Sequence, residues 1–125
     1  MTHEIETLVL KTDVRGSLFE VVRGIPEGAQ TYVFSINGGH SRGGHWHRRK
    51  IEWFTCVGGE CQLLLNGDEG KAPTEKVHLM AGAPVSVKVF PGTKHTFFSE
   101  DNVATILACI SESFDESDPD TFFDR

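Results

Sequence analysis

No stretch of this chain repeats its apolar residues with a helical period. They come in short runs, broken by thirteen glycines and five prolines over 125 residues. That pattern confines the chain to strands. Residues 5–11, 17–23, 30–37, 50–57, 60–66, 75–80, 84–90, 95–99 and 103–110 are each rich in Val, Ile, Thr, Phe or Leu and read as strands. Alternation is plainest in Val85-Ser86-Val87-Lys88-Val89, where a period of two puts the valines on one face. Gly58-Gly59 separates two runs by two residues, a hairpin signal, and Asn66-Gly67-Asp68 opens a further turn. Short strands at this spacing predict an all-β sandwich or closed barrel. With no linker, repeat or low-complexity tract, the expected organisation is a single domain over residues 1–125.

Charge and cysteine usage narrow the setting. Six acids and one base in residues 111–125 account for −5 of the net charge of −6, which leaves the body near neutral. Binding to nucleic acid through its phosphates is not expected of such a chain. A small anionic ligand is, because Arg42, Arg48, Arg49 and Lys50 fall close together, although Arg48-Arg49-Lys50 also reads as a solvated connection. The longest apolar run, residues 106–110, is too short to span a membrane, and the acidic start lacks the apolar stretch of a secretory signal. Cys56, Cys61 and Cys109 are odd in number and form no CxxC, which predicts buried thiols in a reducing, cytoplasmic protein. Phe114, Phe122 and Phe123 predict that the acidic tail packs back on the body; a frayed end is the alternative.

One spacing carries chemistry. In Gly39-x5-His45-x-His47-x4-Glu52-x6-Gly59, the two histidines lie two apart and share a strand face, and Glu52 opens the next strand. Gly92-x2-His95 supplies a third imidazole just after a glycine turn. His45, His47, Glu52 and His95 directed inward from adjacent strands make a divalent-metal site, and imidazole with carboxylate suits Zn, Fe, Ni or Mn without choosing among them. Metal-free acid–base use of the same histidines, and a purely structural hydrogen-bonded wall, are the other readings. Parity places Trp46 opposite its two histidines, where it packs between layers, and Trp53 opposite Glu52, out of the cavity.

These two glycine–histidine patterns resemble the two motifs of the cupins, with Phe90 where the second motif usually has Pro. Asp13-Val14-Arg15-Gly16-Ser17-Leu18-Phe19-Glu20 and Ser41-Arg42-Gly43-Gly44-His45-Trp46-His47 resemble segments of the sugar-nucleotide cupins, which include the dTDP-4-dehydrorhamnose 3,5-epimerases and the dTDP-sugar 3,4-ketoisomerases. The tail, with Phe114-Asp115 and Pro119-Asp120-Thr121-Phe122-Phe123, resembles the end of the C-terminal cupin domain in CapF-type capsular-polysaccharide enzymes.

The resemblance implies a double-stranded β-helix, or jelly-roll barrel, with the short acidic tail packed on it. It implies zinc as the metal, no organic cofactor, and C3 epimerisation of a UDP-4-keto-6-deoxy-hexosamine through an enolate, in surface polysaccharide synthesis. A separate reductase would complete the pathway, since the chain has no Rossmann glycine fingerprint. A dTDP-4-keto-6-deoxyhexose 3,4-ketoisomerase or 3,5-epimerase is the alternative, and a non-catalytic sugar-binding module is the alternative of another class. Family members exchange N-terminal strands as homodimers, so a homodimer is expected, with Arg15 serving the neighbouring pocket. Arg15 and Arg42 are the candidates for the diphosphate, because guanidinium forks match phosphate oxygens. Tyr32 is the candidate proton carrier if the four ligands hold metal. His45 or His47 takes that role if they do not.

Overall fold

A computed structural model describes residues 2–66 and 75–123. The turn expected at Asn66-Gly67-Asp68 lies outside the described residues from 67 onward. Every secondary-structure element among the described residues is a strand: β1 (His3–Thr7), β2 (Lys11–Asp13), β3 (Gly16–Leu18), β4 (Gln30–Ile36), β5 (Ser41–His45), β6 (Glu52–Gly58), β7 (Glu60–Asn66), β8 (Glu75–Met80), β9 (Val85–Val89), β10 (Lys94–Phe98) and β11 (Ala104–Ile110). No helix is long and apolar enough to cross a membrane.

Two antiparallel sheets face each other. One has the order β1-β9-β6-β11-β4, the other β5-β10-β7-β8, and β2 with β3 forms a separate hairpin. The alternation read from the sequence sets the inner faces. Val87 and Val89 from β9, Ile106, Ala108 and Ile110 from β11, Leu63 and Leu65 from β7, and Phe97 from β10 are buried in one core, with Val85 packed against it. Burying side chains of this kind contributes roughly 1.5–3 kcal/mol each, which is the main force closing the sheets on each other. The three thiols are free and buried, as expected.

Three expectations are corrected. Gly58-Gly59 does not close a hairpin: β6 and β7 belong to different sheets, so the turn carries the chain across the sandwich. Gly59 has φ +66, and a Cβ there would lie 2.3 Å from the Val103 carbonyl, so this crossover needs glycine. The run 17–23 yields only β3, because its partner β2 is three residues long and pairing ends with it. The strand expected to carry both His45 and His47 is β5, which reaches back through Ser-Arg-Gly-Gly, a run with no β-forming side chain held by pairing with β10, and ends at His45, leaving His47 just beyond it. Gly43 there has φ +93, and a Cβ would meet the His95 carbonyl at 2.7 Å. The resulting irregularity sets His45 directly opposite His95.

The tail packs on the body. Trp46 and Phe122 exchange backbone hydrogen bonds of 2.9 and 3.0 Å, and their rings stack with centroids 4.8 Å apart. Trp46 is buried, as its parity predicts.

Candidate active site

The site sits between the sheets at one end of the sandwich. His45 ends β5, His47 follows it, Glu52 opens β6 on the facing sheet, and His95 lies near the start of β10. One ligand atom from each of these four lies within 4.8 Å of the others. His47, Glu52 and His95 are buried, and His45 is half-buried.

The ring nitrogens are arranged by the backbone. His47 Nδ1–H donates to the Asp120 carbonyl at 2.5 Å, and His95 Nδ1–H donates to the Thr93 carbonyl at 3.2 Å. With Nδ1 carrying the proton, each Nε2 of a neutral ring presents a lone pair. Both lone pairs aim at Glu52 Oε1, from 2.8 Å for His47 and 3.0 Å for His95. Two acceptors facing a carboxylate oxygen at such distances need a positive charge between them, a ring proton or a metal ion. Although the distances are those of ion pairs, Glu52 Oε1 and His95 Nε2 lack hydrogen-bond geometry. An orphaned buried polar atom costs roughly 1–3 kcal/mol, more when charged. A divalent cation satisfies all of these atoms at once, so the donor set fits a metal, and the Nδ1 contacts are the supports that metal-bound imidazoles usually have.

Without a metal, the electrostatics favour negative charge on Glu52 and positive charge on His47. Burial pushes the Glu52 carboxyl up, but the His95 and His47 rings outweigh it and hold the group below the usual carboxylate range. Burial likewise pulls His47 down, and Glu52 more than reverses it. For His45, burial and then the His95 and His47 rings pull the value down to about 4, so it is neutral at physiological pH.

Above the cluster opens a cavity of about 170 Å³, lined among others by Tyr32, Phe34, Arg42, His45, Glu52 and His95. Tyr32 stands on β4, across the sandwich from His45. Burial, and then the Glu52 charge, push its phenol up to about 12, so it holds its proton. Arg42 Nε donates to the Ser35 carbonyl at 2.6 Å, and Arg42 also lines a neighbouring hollow of about 220 Å³ with Asn37 and His40.

The structure therefore brings together Tyr32, Arg42 and the four metal-type ligands. It does not bring Arg15, which lies on the β2–β3 hairpin in a different pocket and pairs with Asp13 at 2.6 Å. His47 is not free to act as a base, since both its ring nitrogens are engaged. In the Arg48-Arg49-Lys50 stretch the two arginines are exposed, as a solvated connection requires, but Lys50 is buried and its Nζ donates to the Pro119 carbonyl. Sequence reasoning also missed Asp120, a buried acid whose only signal was its place in the tail resemblance.

The family described as the polysaccharide biosynthesis C-terminal domain matches residues 11–122. The chain belongs to that family. A TDP-4-oxo-6-deoxy-alpha-D-glucose-3,4-oxoisomerase from Aneurinibacillus thermoaerophilus is 33% identical over 112 residues, covering 85% of this chain and 76% of that protein. A doubly substituted form of ChmJ, a 3'-monoepimerase from Streptomyces bikiniensis in complex with dTDP, superposes with a TM-score of 0.81 at 22% identity, over 93% of this chain and 66% of that one. CapF, a capsular polysaccharide assembling protein from Staphylococcus aureus, gives a TM-score of 0.72 at 26% identity, over 93% of this chain and 34% of that one. The chain thus spans about a third of CapF and just under two thirds of ChmJ.

Proposed function

We propose that this chain is a nucleotide-sugar isomerase or epimerase acting on a dTDP-linked 4-keto-6-deoxyhexose, and that 3,4-ketoisomerisation is its reaction. The observation that carries the reading is one cavity in which a metal-type His/Glu cluster faces a protonated Tyr32 and an Arg42. The identity to the Aneurinibacillus enzyme supports the dTDP-linked alternative over the UDP-linked hexosamine that the tail resemblance implies.

A hydrogen on carbon 3 is acidic because the ketone at carbon 4 delocalises the charge left behind. When bound, a divalent metal, for which we propose zinc, supplies positive charge for the ketone oxygen as the enolate forms. His47, Glu52 and His95 would hold it, with His45 completing the set. Tyr32 Oη keeps its proton at neutral pH and faces the cavity, so it is placed to donate. Its raised value makes the phenol a weaker acid than a free one and its phenolate, once formed, a stronger base, so the same oxygen is placed to take the carbon 3 proton and give it back. Return of the proton to carbon 4, with the hydroxyl proton of oxygen 3 passing to oxygen 4, gives the ketoisomer, and return to the opposite face of carbon 3 gives the epimer. The placement of the acid decides between them.

The main cavity is smaller than the roughly 300–1,000 Å³ usual for a whole ligand, so it takes the sugar ring alone. Arg42 lines both hollows, where the diphosphate would pass toward the nucleoside.

The test is NMR of a dTDP-4-keto-6-deoxyglucose incubation in heavy water. We expect deuterium at the exchanged carbon, appearance of the 3-keto isomer, loss of both on chelation and recovery with zinc. Exchange only with a UDP-linked hexosamine would favour the C3-epimerase reading, and no exchange with either by metal-replete protein would leave a binding module.

A further inference from the structure

We infer that Asp120 is a positioning residue for the active site: it ties the C-terminal tail to the loop after β5 and so fixes the proton and orientation of His47. The inference rests on the metal reading for one arm of its test only. Three observations carry it.

Asp120 is 2% exposed, and its carboxylate is held chiefly by backbone, with the Arg49 guanidinium 3.9 Å away. Oδ1 accepts from Arg48 N at 3.0 Å, and Oδ2 accepts from Arg49 N at 3.1 Å and Lys50 N at 3.3 Å. These are consecutive donors of the loop that leaves His47. The same residue's carbonyl accepts from His47 Nδ1. One residue thus grips the loop with its side chain and the ring with its main chain.

Asp120 adopts φ +50, and it is the one non-glycine residue at positive φ among the described residues. Aspartate tolerates that region better than most side chains, and the conformation is held by the surroundings rather than by preference.

The grip is braced on both sides. Phe122, two residues on, pairs with Trp46, which precedes His47. Pro119, one residue back, accepts from Lys50 Nζ, and Arg49 pairs with Glu112 and Asp118 of the tail. The paired segments straddle His47, so releasing Asp120 frees the ring to turn without dismantling the barrel.

The variant is Asp120→Asn, which keeps size and tolerance of positive φ but puts an amide NH2 where two donors now point. We expect zinc affinity, measured by chelator competition, to fall about 10–100-fold, and the visible bands of the cobalt-substituted protein to shift. In a His47→Ala background the same substitution should leave metal affinity within about twofold, because Asp120 acts through that ring. An equal loss in both backgrounds would overturn the proposal. A second measurement does not depend on the variant folding. Long-range proton–nitrogen NMR of metal-free wild type, at a pH where His47 is neutral, should find the proton on Nδ1, and a proton on Nε2 would overturn the proposal. Nδ1–H in a protein that binds no metal would uphold the positioning and remove the metal reading instead.

Discussion

Two aspartates, one near each end of the chain, make the same kind of bond with opposite consequence. Asp13 accepts the backbone N–H of Arg15 at 2.8 Å and pairs with its guanidinium, on a hairpin where every residue is exposed. Asp120, itself in the tail, accepts three backbone N–H groups while buried. Water can replace Asp13's partners at once, whereas of Asp120's three donors Lys50 N is buried and Arg48 N and Arg49 N lie in part-buried bonds. The apolar side chains divide the same way. Trp46 and Phe122 cover each other, but Val14 is fully exposed, Val9 is 72% exposed and Leu18 is 61% exposed. At the C-terminal end the chain covers Trp46 with Phe122 and leaves Phe114 and Phe123 exposed, whereas the N-terminal hairpin has no such covered pair and presents its apolar side chains to solvent.

The comparison predicts its largest effect in a pair of substitutions. Asp120→Ala strands buried N–H groups and places alanine at positive φ, so urea unfolding should show a loss of about 3 kcal/mol or more. Asp13→Ala should leave the unfolding midpoint where it was. Equal midpoints for the two variants would break the distinction between the ends.

A smaller effect lies in the pH dependence of the metal-free protein. His45 stays neutral in the fold down to about pH 4, whereas unfolded it takes a proton near 6.5. The unfolded chain binds more protons over that interval, so stability falls as pH drops from about 6.5 to about 4. His47 is shifted upward, so its contribution is complete below 6.5 and does not change in this window. Glu52, shifted downward, adds to the loss only at the acid end. Allowing for partial solvent access, His45 should account for on the order of 1–2 kcal/mol. Urea melts at pH 6 and pH 4.5, below the range in which His47 changes, should show that loss, and His45→Gln should remove most of it. The β2–β3 hairpin carries no histidine and should stay silent.

What could be read from the residues follows the same division. Strands buried on the core face, such as β7, β9 and β11, announce themselves because alternation and burial select the same side chains. β5 does not, since its glycines are there to bring backbones close, and a glycine run looks like a loop until its partner is known. The four metal-type ligands were legible because motif spacing records strand geometry. Asp120 was not: it acts on His47 through a carbonyl, 73 residues away, and a main-chain atom leaves no mark on residue identity. Gly58-Gly59 has the composition of a hairpin turn, and only the sheet assignment of the flanking strands shows that it crosses between layers.

The smallest effect on stability is the most informative about the open end. Arg15 and Asp13 are exposed, so Arg15→Ala should not change the unfolding curve. If the hairpin serves a second copy's cavity, as the family resemblance implies, the same substitution should raise KM for the nucleotide sugar several-fold with kcat little changed, because a group that holds the diphosphate binds ground and transition states alike. Val14→Asp then separates contact from chemistry. It places a charge on the exposed apolar surface and should convert a dimer to a monomer by light scattering, with the fold intact and the KM defect of Arg15→Ala reproduced. An unchanged KM in Arg15→Ala, together with a wild type that is monomeric at micromolar concentration, would mean that the N-terminal end stays open and that Arg42 alone meets the diphosphate.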